Sequence, residues 1–115
     1  MSNPMVFITQ EPMKKNSDGN WISKGLNLAA ASTYGDIHIV WPPGTSIFAR
    51  SIVEEEAMSI ADTYNDETDF IIALGSPSLI AILAWAIGKK GKTLRVLEWD
   101  KSLSRYYPTL NSAST

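Results

Sequence analysis

At 115 residues the chain has the length of one domain, long enough to bury its own core without staples, and a composition of 44% hydrophobic and 19% charged residues excludes global disorder. The absence of cysteine excludes disulfides, thiolate catalysis, zinc–thiolate sites and iron–sulfur clusters. A formal net charge of -2 offers no basic surplus to phosphates, so nucleic acid is not an expected partner.

After a loose start over about residues 1–4, Met5-Val6-Phe7-Ile8-Thr9 reads as a first strand closed by Gln10-Glu11-Pro12. Residues 14–20, Lys14-Lys15-Asn16-Ser17-Asp18-Gly19-Asn20, are polar and rich in turn formers, which predicts a surface loop without regular structure. Leu26 to Tyr34 contains a short helix at Leu28-Ala29-Ala30-Ala31, with Asn27 placed to cap its start and Gly35 to take the left-handed position past its end.

Asp36-Ile37-His38-Ile39-Val40-Trp41 is rich in β-branched and aromatic residues and stops at Pro42-Pro43-Gly44, as a second strand would. From Thr45 or Ser46 as cap, a helix is expected to run to about Tyr64. Ala49, Ile52, Val53, Ala57, Ile60, Ala61 and Tyr64 share its apolar face, and the acidic run Glu54-Glu55-Glu56 is its wet side.

Asp69 to Leu74 carries no polar alternation, the pattern of a strand covered on both faces. Gly75-Ser76-Pro77-Ser78 then starts an apolar helix, with Ser76 as cap and Pro77 at the first helical position, ending near Gly88-Lys89-Lys90-Gly91. Thr93 to Trp99 is a fourth strand. Asp100 to Ser104 reads as a turn and Arg105-Tyr106-Tyr107-Pro108 as a short strand returning antiparallel, followed by a frayed tail at residues 111–115.

Alternating strands and helices predict a single α/β domain with a mainly parallel four-stranded sheet, helices on its faces and a short C-terminal strand, an incomplete Rossmann-like or flavodoxin-like arrangement. The longest apolar run, Leu79 to Ile87, is shorter than the roughly 20 residues of a membrane span. No membrane association is expected, and without a leader pattern a cytoplasmic setting is. Leu79, Ile80, Ile82, Leu83, Trp85 and Ile87 point in nearly every direction around one helix, whereas covering a sheet takes an apolar stripe about 100° wide. The surplus predicts a homodimer through Leu79-Ile87 across a two-fold axis. The alternative is that the Lys14 to Lys24 segment, with Trp21 and Ile22, folds over the helix.

An early strand, a small helix ending in Tyr34-Gly35, the Gly75-x-Pro77 turn into an apolar helix, and Val96-Leu97-Glu98-Trp99-Asp100-Lys101 followed by Arg105-Tyr106-Tyr107-Pro108 resemble a group of small α/β proteins of tailed bacteriophages. The resemblance covers most of the chain and brings no assigned chemistry with it. It implies a viral protein acting in a bacterial host's cytoplasm.

Candidate chemistry gathers at the carboxyl edge of the expected sheet, where open α/β sheets bind ligands. Thr9, Thr45, Ser46, Gly75, Ser76, Ser78 and Asp100 are the ligand-binding candidates, the helix start at Ser76 offering free N–H groups to an anion or simply capping itself. Pro42-Pro43-Gly44-Thr45-Ser46 shares a glycine turn with the phosphate-binding loop of nucleotide hydrolases but lacks its lysine. Ser76 lacks the glycine spacing of a nucleophile elbow. His38 is the only histidine, so multi-histidine metal sites are excluded, leaving a lone general base or a packed strand residue. Glu11, Glu98 and Asp100 would converge at the same edge or simply be solvated. Trp99, Tyr106 and Tyr107 beside Lys101 and Arg105 form either a stacking surface or cross-strand pairs. No catalytic residue, metal ligand or cofactor is assigned. The pattern points to a non-enzymatic phage protein that binds a host or viral protein, the alternative being a small-molecule or nucleotide-binding protein, or an enzyme, using the carboxyl edge.

Overall fold

The computed structural model describes residues 3–11, 13–23 and 28–110. Four strands lie parallel: β1 (Met5–Gln10), β4 (Asp36–Trp41), β5 (Phe70–Ile72) and β6 (Arg95–Asp100). A fifth, β7 (Arg105–Leu110), runs antiparallel to β6, giving the order β4-β1-β5-β6-β7. This is a small α/β domain with a mixed, mostly parallel sheet, roughly Rossmann/flavodoxin-like in strand order. Helices α2 (Arg50–Thr63) and α3 (Pro77–Lys89) cover one face, and α1 (Leu28–Ala31), four residues long, lies against the other.

The period-two alternation of β1 and β5 divides the core. Phe7 and Ile71 join Val53, Ala57, Ala61, Tyr64, Leu79, Leu83, Ala86 and Ile87 on the α2–α3 side. Val6, Ile8, Phe70 and Ile72 join Ala31, Leu97 and Tyr106 on the other. All three residues of β5 are buried, as expected for a doubly covered strand, but the strand stops at Ile72, short of the expected Leu74. The β6–β7 hairpin pairs Trp99 with Tyr106 and Glu98 with Tyr107. Residues 111–115, Asn27 and Leu26 lie outside the described residues.

Three expectations need correction. The polar segment at residues 14–20 belongs to a hairpin of its own, Lys14 and Lys15 lying in β2 (Met13–Lys15), which pairs antiparallel with β3 (Trp21–Ser23), and residues 16–20 forming the tip. The turn is organised by Asn16, whose Oδ1 accepts the N–H groups of Asp18 at 2.9 Å and Asn20 at 3.0 Å. The turn chemistry was visible, but the flanking strands are too short to show a period.

Helix α2 begins at Arg50, not at Thr45 or Ser46. The Thr45 hydroxyl donates to the Pro42 carbonyl at 2.8 Å, and Ser46 Oγ accepts the Phe48 N–H at 3.2 Å. Both side chains are spent on local turns that compete with helix initiation. Ala49 and Ile52 consequently face outward rather than into the core, Ile52 being 59% exposed.

Gly35 does not take the left-handed cap position. Its φ is 157° and it lies against the β1 entry, where an added Cβ would meet the Pro4 carbonyl oxygen at 2.5 Å. The same carbonyl accepts the Asp36 N–H at 2.8 Å, so the glycine permits the close approach that starts the β1–β4 ladder.

Candidate functional site

Because β4, β1, β5 and β6 are parallel, their ends bring Thr9, Thr45, Ser46, Gly75, Ser76, Ser78 and Asp100 to one edge, the carboxyl edge. Connections leave β1 and β5 in opposite directions, so the crevice between them is the topological switch point where such sheets bind ligands. Here that crevice holds a side chain of the protein itself. Gln10, at the end of β1 and buried, donates from Nε2 to the Pro42 carbonyl at 3.1 Å and accepts the Ser76 N–H on Oε1 at 2.8 Å. One amide ties the ends of β1 and β4 to the start of α3.

The sequence candidates are placed around this bridge. Ser76 occupies the N-cap position of α3, yet its hydroxyl makes no capping bond; the Gln10 amide instead satisfies a backbone N–H that would otherwise be open to an anion. Gly75 has φ +87°, and a Cβ there would collide with Gln10 Cβ and Oε1. Thr9 is fully buried and donates to the Ile72 carbonyl at 3.2 Å, linking β1 to β5. Ser78 is exposed in the first turn of α3. Asp100 is engaged in the β6–β7 turn, its Oδ1 accepting the N–H groups of Ser102 at 2.9 Å and Leu103 at 3.3 Å.

The carboxylate set is not brought together. Glu98 accepts the Tyr107 and Thr109 hydroxyls at 3.2 and 3.3 Å on the exposed face of the hairpin, and that bond, with the carboxylate's charge, raises the Tyr107 phenol above its ordinary pKa. Among the described residues no group of three or more His, Asp or Glu could hold a metal ion. The aromatics are cross-strand pairs: Trp99 and Tyr106 meet edge to face with ring centroids 4.9 Å apart, Tyr106 being buried and Tyr107 exposed.

At the opposite, amino edge a cleft of about 650 Å³ opens between β4 and the C-terminal half of α2. Met5, Phe7 and Ile60 supply its apolar lining, and Asp36, His38 and Asp69 lie among its polar groups. His38 stands exposed and edge-on to Phe7, with centroids 5.7 Å apart. Asp69, buried, accepts from the Met5 N–H at 2.9 Å, the Asn65 N–H at 2.9 Å and the Thr68 hydroxyl at 3.1 Å, and so fastens the α2–β5 turn to β1.

A third surface is the outer seam of α2 and α3. Leu79, Leu83, Ala86 and Ile87 are buried within the fold, and Ile82 packs partly against the same core. Trp85 remains, 46% exposed, between two shallow depressions. One is lined with Arg50, Glu54, Ala81 and Ile82, the other with Glu54, Glu55, Met58 and Asp62 among others. The Lys89 ammonium lies 5.7 Å from the Trp85 ring centre.

The bridging residue Gln10 escaped sequence reasoning because its partners are 32 and 66 positions away. The local hint is a glutamine following Thr9 at the end of a strand whose first four residues are apolar.

No helix among the described residues is long and apolar enough to cross a membrane. No curated protein and no solved structure matches the chain. A family model described as Phage Pam3 gp32-like protein matches residues 4–112, a span that includes Tyr34-Gly35, the Gly75-x-Pro77 turn and the β6–β7 hairpin on which the likeness to phage proteins was read. The chain belongs to the Phage Pam3 gp32-like protein family.

Proposed function

We propose that this phage protein works without catalysis, by binding another protein of the phage or its host through the α2–α3 seam. The observation that carries the reading is Trp85, a large aromatic left half-exposed between two depressions while its helix neighbours Leu83 and Ala86 are buried. Tryptophan in a shallow apolar setting is the residue type that most often anchors a protein interface. Glu54 is paired with Arg50 at 2.8 Å and Asp62 with Lys90 at 2.6 Å, so the rim charges are balanced within the chain and the seam favours a partner that brings an apolar knob to Trp85. A second copy of the chain is one such partner. The α3 surface open to it is that of Ala81, Ile82 and Trp85, since Leu79, Leu83 and Ile87 are committed to the chain's own core.

The competing reading places a small ligand at the carboxyl edge, at Thr45, Ser46, Gly75, Ser76 and Ser78. A ligand that used the Ser76 N–H would have to displace the Gln10 amide from it. Affinity capture from host and infected-cell lysates compares the readings. Wild-type protein is expected to retain one stoichiometric partner that Trp85→Ser loses, or to sediment as a dimer that Trp85→Ser dissociates. A nucleotide, sugar or phosphate that stabilises the protein by about 2.7 kcal/mol at 100 times its Kd, and no longer does so in Ser76→Pro, would overturn the protein-binding reading.

A further inference from the structure

The two edges of the five-stranded sheet are unequal. On one side β7 carries Arg105 and Pro108 within the strand, a charge and a missing N–H donor that discourage further pairing. On the other, β4 pairs only with β1 and contains neither Lys, Arg nor Pro between Asp36 and Trp41. The ladder to β1 begins with the Asp36 N–H donated to the Pro4 carbonyl and engages alternate residues. The N–H and C=O groups of Ile37 and Ile39 therefore point away from β1, and among the described residues no strand lies on that side. Beyond Asp36 at its first position, nothing in β4 defends this edge.

The amino-edge cleft runs beside it. Asp36 and His38, alternate residues of β4, line the cleft on the α2 side together with Phe7 and Ile60. Among the described residues no Lys or Arg lines it. The Asp69 carboxylate is occupied by three donors from its own turn and β1. Asp36 is exposed and accepts one long bond, from Asn3 Nδ2 at 3.3 Å. An undefended strand edge next to a pocket of anionic character has the layout of a strand-addition site, in which main-chain bonds give affinity and a side-chain pocket gives selectivity.

We infer that β4 accepts an extended peptide segment of a partner protein as a sixth strand, with a lysine or arginine of that segment entering the cleft. The aliphatic stem lies against His38 and the cationic head meets Asp36 at the near side of the cleft. This surface is separate from the seam at Trp85, and the inference stands whether or not the seam binds protein.

The test uses the full chain, labelled with ¹⁵N, and acetylated seven-residue peptides alternating threonine and valine with lysine, glutamate or norleucine at the centre. The lysine peptide is expected to shift the amide signals of Ile37, His38 and Ile39, to slow their hydrogen exchange, and to bind about tenfold more tightly than the glutamate peptide. Asp36→Asn should bring its affinity down to that of the norleucine peptide without altering the spectrum of the core. Methylating alternate backbone nitrogens of the peptide should abolish binding, a control that leaves the protein untouched. The proposal is overturned by equal binding of lysine and glutamate peptides, by shifts that map away from β4, by no binding at all, or by β4 amides already protected in a dimer of the free protein.

Discussion

Gln10 Oε1 accepts the Ser76 N–H at 2.8 Å across the point where the sheet's connections change direction, and Gly75 is the residue that allows the approach. The cap residue's N–H at the start of α3 is thus bonded from a neighbouring strand, while the Ser76 hydroxyl makes no capping bond. Gln10→Ala leaves the Pro42 carbonyl and the Ser76 N–H without these partners and should cost about 1–3 kcal/mol in urea unfolding. Gly75→Ala should cost at least about 1 kcal/mol, from its positive φ and the collision with Gln10. In the double variant the collision with Oε1 is gone, so the two losses should sum to more than the double variant shows, a coupling of about 0.5 kcal/mol or more. Strict additivity would mean that the two residues do not share the contact.

Lys92 caps α2 from outside. Its Nζ donates to the carbonyls of Ala61 and Tyr64 at 2.6 Å each and of Asp62 at 3.2 Å, placing a positive charge at the negative end of the helix. Lys92→Met should lower stability by about 1–2 kcal/mol. Amide exchange should quicken most in the last turn of α2 and in the Asn65–Asp69 turn that follows it. Uniform quickening across the sheet would contradict a capping role.

The Tyr64 hydroxyl donates to the Thr93 carbonyl at 2.9 Å and accepts the Arg95 N–H at 3.0 Å. Burial raises its pKa above the ordinary value near 10.0, outweighing the lowering by the Arg95 backbone bond and charge. A phenol whose folded pKa lies above its unfolded one contributes stability that is complete below about 10 and declines as pH rises through the folded value. Stability measured from pH 9 upward should therefore start to fall near pH 10. Tyr64→Phe should be less stable at neutral pH by about 1 kcal/mol and show a shallower alkaline decline. An unchanged alkaline slope in Tyr64→Phe would assign the decline to other groups.

What was legible in the sequence follows from how local each determinant is. The sequence delimits β4, between Gly35 and Pro42-Pro43, and the start of α3 at Pro77 where the structure has them, and it shows the antiparallel return of β7 from Arg105, although that strand runs on to Leu110 instead of stopping at Pro108. In each case turn chemistry and side-chain period agree within a few residues. The start of α2 was misplaced because Thr45 and Ser46 suit either a helix cap or a local turn, and their hydrogen-bond partners decide between the two. The apolar excess of α3 is a burial demand that α2 and the sheet meet at Leu79, Leu83, Ala86 and Ile87, while Trp85 stays half-exposed. Gln10, Lys92 and Tyr64 act on carbonyls and amides between 28 and 66 positions away, and no periodicity encodes such pairs.

The division of α3 into a committed face and an open one is testable by stability alone. Leu83→Ala should cost about 2–5 kcal/mol, the range for emptying a leucine site in a packed core. Trp85→Ser should cost about 1 kcal/mol or less, the scale of a partly exposed side chain. Comparable losses at both positions would mean that Trp85 serves the fold rather than a partner.

The most direct test of the protein-binding account is a photocrosslink from the seam itself. With a benzophenone amino acid installed at position 85 and the protein produced in host cells with and without phage, irradiation should give one dominant adduct above the 12.6 kDa chain. Excess unlabelled wild-type protein should suppress it, and the same group at exposed Lys101, in the β6–β7 turn, should not form it. Absence of any adduct at position 85, or adducts indistinguishable from those at position 101, would contradict the account.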